Sequence, residues 1–238
     1  MRRKPRRCLI LAAAVLCPAV GCNNSRYGLN HDRRMPGIQR VGVIAPSVKV
    51  YSLHTGGVQE ERPDLEPMIQ QRAVAAIQEQ VSRCKRESVP QDATVAKTQP
   101  ADYASAGQLA LLAAVSESIV THHYLHGKER TIDYTTGDAP KVLGGNDVDA
   151  LLCVDVQGTV PTGGRKFLKG TAVVMGVLTG VHIHVPTKQA TVALMLVDRR
   201  TGEVLWFNAA MKEIKVSDEH DFRDLCKDAC KYLFKPSK

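Results

Sequence analysis

The sequence lacks the short motifs that mark the common hydrolases, zinc enzymes and nucleotide-binding proteins. It contains no G-x-S-x-G, which would predict a nucleophilic serine, and no H-E-x-x-H, which would predict a zinc site. The pair Gly163-Gly164 is followed by Arg165 and lacks the Gly-Lys-Ser/Thr ending of a phosphate loop. We therefore predict that the protein is not an enzyme, with no catalytic residue and no cofactor.

A long basic surface is also missing. The formal charge of the chain is +8, but five of these positive charges lie in residues 1–21, which contain no acid. Subtracting them leaves +3 for the remaining chain, where Arg33-Arg34 and Arg199-Arg200 are only pairs. Nucleic-acid binding requires a basic footprint on the folded domain. We therefore predict no nucleic-acid partner.

The N-terminal apolar run is too short to cross a bilayer. Five Lys and Arg side chains precede the apolar stretch Cys8 to Pro18, and the small residues Ala19 and Gly21 follow it. A spanning helix needs about 20 apolar residues. A basic segment, a short apolar run and small residues are typical of a cleaved export signal. We assign residues 1–21 to a signal peptide.

The cysteine after this signal is the expected attachment point for lipid. The order Ala19-Val20-Gly21-Cys22 resembles the lipobox of bacterial lipoproteins. The resemblance implies that Cys22 receives a diacylglyceryl group, with acyl chains such as palmitate, and becomes the first residue of the mature chain. The alternative is an ordinary secretory signal cut near Gly21. Asn23 rather than Asp follows the cysteine, which in the familiar sorting rule implies delivery to the periplasmic side of the outer membrane.

The remaining chain divides into a polar segment and one domain. Residues 22–38 show no periodicity and close on Pro36-Gly37, so we predict a flexible tether after the lipidated cysteine. Residues 39–238 form the predicted single α/β domain. It begins with a strand over Arg40 to Leu53 that Pro46 bends or divides.

Hydrophobic periodicity predicts the elements of this domain. Two helices follow the first strand, the first carrying Ile69 to Cys84 and the second running from about Ala101 to His123, with a loop or weak strand at Glu87 to Gln99 between them. The order strand, helix, helix, strands, helix predicts an α/β (α+β) sandwich, a mixed sheet with a C-terminal β-hairpin and helices packed on it. Further strands are expected at residues 131–134, 150–160, 190–197 and 203–211, and a final helix begins at Ser217 or Asp218.

Four stretches carry a resemblance to known proteins. They are VGVIAPSVKVYSLHTGGVQE, IDYTTGD, GGRKF and VDRRTGEVLWFN. In this order they resemble a group of uncharacterised bacterial lipoproteins and, more distantly, the curli-assembly lipoprotein CsgG, the TolB N-terminal domain and the penicillin-binding-protein activator LpoB. The resemblance implies a fold and a periplasmic location, and it carries over no catalytic residue.

Four cysteines follow Cys22. Cys226 and Cys230 lie four residues apart on the apolar stripe of the final helix, so we interpret them as small core residues rather than as a redox or metal motif. Cys84 ends an earlier helix. A disulfide from Cys84 to either Cys226 or Cys230 stays open, because an export signal permits disulfides without requiring them.

Two histidine pairs are the candidate metal ligands. His122 and His126 lie four residues apart at the end of the second helix, and His182 and His184 lie two apart on an expected strand. Either pair could chelate zinc or copper if they converged. No Cys or carboxylate accompanies them at an established spacing, so we predict no metal site.

The stretch from Gly170 to Val185 has no Lys, Arg, Asp or Glu. It is too short for a spanning helix, and we predict internal packing, with a protomer contact and membrane insertion as the alternatives.

Together these features predict a non-enzymatic, lipid-anchored envelope lipoprotein that binds another protein in envelope assembly or transport. The aromatic side chain of Trp206 or Phe207 is the expected contact if one of them points outward. The partners would be the membrane, through the lipid, an envelope protein, and in some arrangements further copies of the chain. A metal- or small-ligand-binding protein and a subunit of an outer-membrane secretion ring are the alternatives.

Overall fold

A computed structural model describes residues 25–54, 59–84, 86–91, 103–125, 129–143, 147–161 and 188–236. Five α-helices lie in these ranges: α1 (His31–Arg34), α2 (Glu66–Arg83), α3 (Tyr103–Leu125), α4 (Ala139–Leu143) and α5 (Glu219–Ala229), with a 3₁₀ turn at Met35–Gly37. The nine strands are β1 (Arg26–Gly28), β2 (Arg40–Ile44), β3 (Ser47–Leu53), β4 (Gln59–Glu61), β5 (Glu87–Gln91), β6 (Thr131–Ile132), β7 (Ala150–Pro161), β8 (Gln189–Asp198) and β9 (Val204–Lys212).

These strands form one mixed sheet in the order β4-β3-β7-β8-β9-β1-β6. The strands β7, β8 and β9 are antiparallel neighbours and form its centre. Both β2 and β3 run parallel to β7, where Val43 lies opposite Leu152 and Ser47 opposite Asp155. The chain advances four residues from Val43 to Ser47, whereas β7 advances three from Leu152 to Asp155. The extra residue forms a local bulge at Ala45-Pro46, between β2 and β3. The prediction that Pro46 divides the first strand is confirmed.

Helices cover both faces of the sheet. One apolar cluster joins α2 and α5 to one face, and a second joins α3 and α4 to the other. Trp206 belongs to the first cluster and Phe207 to the second, as the alternation of side chains along β9 requires. The predicted α/β (α+β) sandwich, with a mixed sheet and a C-terminal β8–β9 hairpin, is confirmed.

The helices form where the apolar spacing predicts them. In α2, Ile69, Ala73 and Ile77 are fully buried at intervals of four residues. In α5, the side chain of Asp218 accepts a hydrogen bond from the backbone N–H of Asp221 at 3.1 Å and caps the first turn. The apolar face expected for α3 contains six residues: Leu109, Leu112, Ala113, Ser116, Val120 and His123. Leu112 is buried as expected, but Ala113 is exposed, and Val115 and Ile119 are buried instead.

The predicted tether is wrong over the part that the structure describes. Residues 26–28 form β1, which pairs antiparallel with β9 and parallel with β6. Tyr27 is 5% exposed, and the side chains of Met35 and Ile38 also lie in the core. This polar segment lacks periodicity because β1 is only three residues long and is held by strands distant in sequence. The folded unit therefore includes residues 25–38 and does not start at residue 39.

Charged side chains fix this N-terminal segment to the β8–β9 hairpin. The guanidinium of Arg34 donates to Asp198 at 3.2 Å and forms an ion pair with Glu203 at 2.7 Å. The amide of Asn30 donates to the same Glu203 carboxylate at 2.7 Å. Asp198 is 6% exposed, and its other oxygen accepts from the backbone N–H of Arg200 and of Thr201. Buried charges need such partners, so this network is structural.

Candidate functional site

The lipid-attachment residue expected from the sequence, Cys22, lies outside the described residues, three positions before the first of them, Ser25. Ser25 is fully buried, and Arg26, the first residue of β1, is 3% exposed. Three residues of chain reach at most about 11 Å. The length of the chain alone therefore limits Cys22 to within about this distance of Ser25.

The C-terminal turn lies next to the same point. The hydroxyl of Ser25 donates a hydrogen bond to the backbone carbonyl of Lys231 at 3.4 Å. The amide of Asn208 on β9 donates to the carbonyl of Ala229 at 2.7 Å and so fastens the end of α5 to the sheet. The N-terminus of the described fold and its C-terminal turn consequently form one surface beside the expected anchor.

A cleft of about 540 Å³ lies at the β6 edge of the sheet. His122, near the end of α3, approaches the Tyr134 hydroxyl through Nδ1 at 3.1 Å and the Glu129 carboxylate through Nε2 at 3.6 Å. Leu29, which follows β1, is 65% exposed at the rim. His122, Tyr134 and Glu129 therefore bring hydrogen-bonding side chains to the wall of this cleft. The sequence pointed to His122 but not to Tyr134 or Glu129, because neither lies at a fixed spacing from it.

The structure describes one of the four histidines that the sequence offered as metal ligands. Of the four histidines, His126, His182 and His184 lie outside the described residues. In the described ranges, no group of three His, Cys, Asp or Glu side chains could hold a metal ion. Of the four histidines, His122 alone is described, beside Tyr134 and Glu129.

The four cysteines that the structure describes are free thiols. Cys84 is exposed at the end of α2, whereas Cys226 is buried in α5. Burial raises the pKa of the Cys153 and Cys226 thiols to about 12 and also raises that of Cys230, whose environment includes Cys226 and Cys84. No bridge joins Cys84 to Cys226 or to Cys230, and the interpretation of Cys226 as a core residue agrees with its burial.

Neither aromatic residue proposed as a protein contact is available for one. Trp206 is fully buried and Phe207 is 2% exposed. The condition for that contact, that one ring points outward, is not met, because helices cover both faces of the sheet and each ring is buried on its own face.

Two further sequence predictions concern segments that the structure does not describe. They concern the apolar stretch from Gly170 to Val185 and the glycine pair Gly163-Gly164 that lacks the ending of a phosphate loop. Among the helices that are described, none is long and apolar enough to span a membrane.

Comparison with known proteins gives no family. No family model matches the chain, and no curated protein matches it. Among solved structures the chain is similar to PelC from Paraburkholderia phytofirmans, a dodecamer, with 11% identity and a TM-score of 0.39 over 84% of this chain and 89% of PelC. It is also similar to the lipoprotein GNA1162 from Neisseria meningitidis, with 14% identity and a TM-score of 0.31 over 73% and 81% of the two chains.

Likenesses this low carry no argument about what the protein does. They also leave the resemblance to CsgG, the TolB domain and LpoB without support.

Proposed function

We propose that this protein is a lipid-anchored lipoprotein of the bacterial cell envelope, attached through Cys22 to the periplasmic face of the outer membrane. It acts without catalysis, as a binding or assembly accessory for another envelope protein. The observation that carries the proposal is the position of the lipobox-like sequence directly before a buried, hydrogen-bonded strand. An acyl group on Cys22 would be joined to the sheet by three residues.

The proposed mechanism is positioning. A lipid anchor restricts a domain to a thin layer beside the bilayer and so raises its effective concentration for partners in that layer. The short connection strengthens this effect, because β1 is an integral strand between β9 and β6. The anchor would therefore be connected to the sheet directly, and not through a long flexible tether.

Labelling with palmitate in cells tests the anchor. The full chain is expressed in a bacterium with two membranes, and we expect label on the wild type, none on Cys22→Ser, and normal labelling of Cys84→Ser, which removes an exposed thiol elsewhere. Globomycin should cause the unprocessed precursor to accumulate. A wild-type chain that carries no label and remains at precursor size in the cytoplasm would overturn the proposal.

Crosslinking in cells tests the binding role. We expect a specific protein to be captured with the wild type and lost with Cys22→Ser, while Cys84→Ser keeps it. A protein that crosslinks to no envelope component when it is lipidated and correctly sorted would contradict the role as an accessory.

A second candidate function is the binding of a small polar ligand in the His122 cleft. It rests on one observation, the chain of contacts from Glu129 through His122 to Tyr134 at the wall of an open cleft. Native mass spectrometry of the protein purified without a histidine tag tests it. We expect a bound mass that disappears in His122→Ala, and a bare wild-type chain would remove this candidate.

A further inference from the structure

The turn after α5 carries an unusual group of basic and aromatic side chains. Lys231 and Lys235 are exposed, and their ammonium groups lie 5.4 Å and 4.9 Å from the centre of the Tyr232 ring. We call Lys231, Tyr232 and Lys235 the C-terminal cluster. The next cation is Arg86, whose guanidinium lies 5.6 Å from the centre of the Phe234 ring. These contacts gather positive charge around two aromatic rings.

The backbone of this cluster is strained. Tyr232 has φ of +72°, and it is the sole residue other than glycine with positive φ in the described part of the chain. Bulky side chains rarely adopt this conformation, and strain of this kind often accompanies a functional position. The ring of Tyr232 is half-buried and lies close to the ammonium groups of both lysines.

The positive charges of the cluster are not neutralised within the described residues. Neither Lys231 nor Lys235 forms an ion pair there, and Lys227, one turn earlier on α5, is also exposed without one. The nearby carboxylate of Asp228 is held by Lys212 at 2.5 Å. The cluster therefore presents cations to its surroundings.

The cluster lies beside the expected lipid anchor. The Ser25 hydroxyl bonds to the Lys231 carbonyl, and Cys22 lies only three residues before Ser25. Three residues of chain and the 3.4 Å bond from Ser25 would keep the Lys231 backbone within about 15 Å of an acylated Cys22, which is comparable to the Debye length of about 10 Å at 0.1 M salt. Lysines close to an anionic leaflet are attracted to it, and tyrosine is enriched at membrane interfaces.

We propose that the C-terminal cluster is a second membrane contact, which binds the headgroups of anionic phospholipids and fixes the orientation of the domain. This inference rests on the proposed lipid anchor. The anchor alone would keep the protein on the membrane, so the cluster controls which face of the domain meets the bilayer. Each lysine near an anionic surface favours the docked orientation by about fivefold.

Lysine reactivity in vesicles tests this orientation. The full, lipidated chain is reconstituted into vesicles of equal parts phosphatidylcholine and phosphatidylglycerol, acetylated with an amine-reactive ester, and mapped by mass spectrometry. Each rate is divided by the rate for the same lysine in neutral detergent. The reference is Lys49, which is exposed on β3, four strand spacings or about 19 Å from β1 across the sheet.

We expect Lys231 and Lys235 to be protected about fivefold or more relative to Lys49. The protection should disappear in phosphatidylcholine alone and at about 1 M salt, where the Debye length is about 3 Å. Lys227, one turn earlier on α5, should share this protection, and the double variant Lys231→Glu with Lys235→Glu should raise its reactivity to that of Lys49. The matched control Lys49→Glu should leave the protection of Lys231 unchanged.

Flotation of the vesicles separates failure of the anchor from failure of the contact. If the chain does not float with the vesicles, the anchor is wrong and this inference falls with it. If it floats but Lys231 and Lys235 react as fast as Lys49, the anchor stands and the contact is refuted. Equal protection in phosphatidylcholine alone would also refute it, because an uncharged surface would then be sufficient.

Discussion

Gly202, at the end of the β8–β9 turn, is the position where the structure makes its sharpest stability prediction. Its φ is +71°, and a Cβ atom built there would overlap the carbonyl oxygen of Gly137. Gly137 also has positive φ, at +56°, but a Cβ there would meet nothing within 4 Å. Gly37 has neither constraint. Substituting the three glycines in turn therefore separates the cost of an unfavourable backbone conformation from the cost of steric overlap.

The expected sizes follow from these two terms. An L-residue in the left-handed region costs about 1–2 kcal/mol, and replacing glycine by alanine returns about 0.4–1 kcal/mol through the unfolded chain. Gly137→Ala should therefore lower the free energy of unfolding by about 1 kcal/mol, and Gly37→Ala should leave it unchanged or slightly raised. Overlap with backbone forces a local shift that costs about 1–3 kcal/mol more. Gly202→Ala should lose about 2–4 kcal/mol.

The loss at Gly202 is steep because its carbonyl is also occupied. It accepts hydrogen bonds from the backbone N–H of Thr136 at 2.7 Å and from the Thr136 hydroxyl at 3.0 Å. A shift away from Gly137 would disturb both bonds. Thermal and urea unfolding followed by far-UV circular dichroism measures the effect, and Tm should fall by roughly 4–16 °C for a chain of this size. If Gly202→Ala is no less stable than Gly137→Ala, the steric argument is refuted.

Three further predictions concern a buried amide, the thiols and a half-buried carboxylate. Asn208→Ala should cost about 1–3 kcal/mol in urea unfolding, since it leaves the Ala229 carbonyl without its donor, and an unchanged midpoint would contradict this role. Near pH 8 a thiol reagent should modify Cys84 while the native fold protects Cys226, whose pKa burial raises to about 12; rapid native labelling of Cys226 would count against its burial. Desolvation raises the pKa of Asp155 in the folded protein above 3.8, so ionisation of this carboxyl lowers the free energy of unfolding as the pH rises. Asp155→Asn should therefore raise Tm at pH 7, and this gain should vanish below pH 3.8, where the carboxyl is protonated in both the folded and the unfolded chain.

Strong local patterns allowed much of the fold to be predicted. The apolar spacing of α2, the alternation of β7 to β9 and the turn residues between β8 and β9 each express contacts made within a few residues or across adjacent strands. The division of the first strand was also visible, because Pro46 cannot donate a hydrogen bond to the sheet. Because these signals depend on nearby residues, a single sequence is sufficient to detect them.

The N-terminal segment could not be predicted for the opposite reason. Arg26 lies opposite Phe207, and Tyr27 opposite Thr131, so β1 depends on strands more than a hundred residues away. The polar side chains of Asn30 and Arg34 read as solvent-exposed because their partner, Glu203, lies in the distant hairpin turn. A polar segment with an i, i+4 pair of hydrogen-bonding side chains was the only trace of this contact in the sequence.

The candidate sites show the same limit. His122 was identified by its residue type, but the rotation of α3 that brings it to Tyr134 depends on packing that one sequence does not specify. The C-terminal cluster could not be predicted from the sequence either, because the contact between Lys231 and Ser25 is what brings it close to the expected anchor.

The folded N-terminus changes what an anchor at Cys22 would do. A flexible tether of the predicted 17 residues, 22–38, would have a root-mean-square end-to-end distance of about 21–25 Å. The three residues from Cys22 to Ser25 reach at most about 11 Å. Effective concentration falls steeply as a linker lengthens beyond the span it must bridge. A short connection to an integral strand therefore favours partners at the membrane surface over partners deep in the periplasm. It also makes orientation matter, because a domain held this closely meets the bilayer with the surface around Ser25.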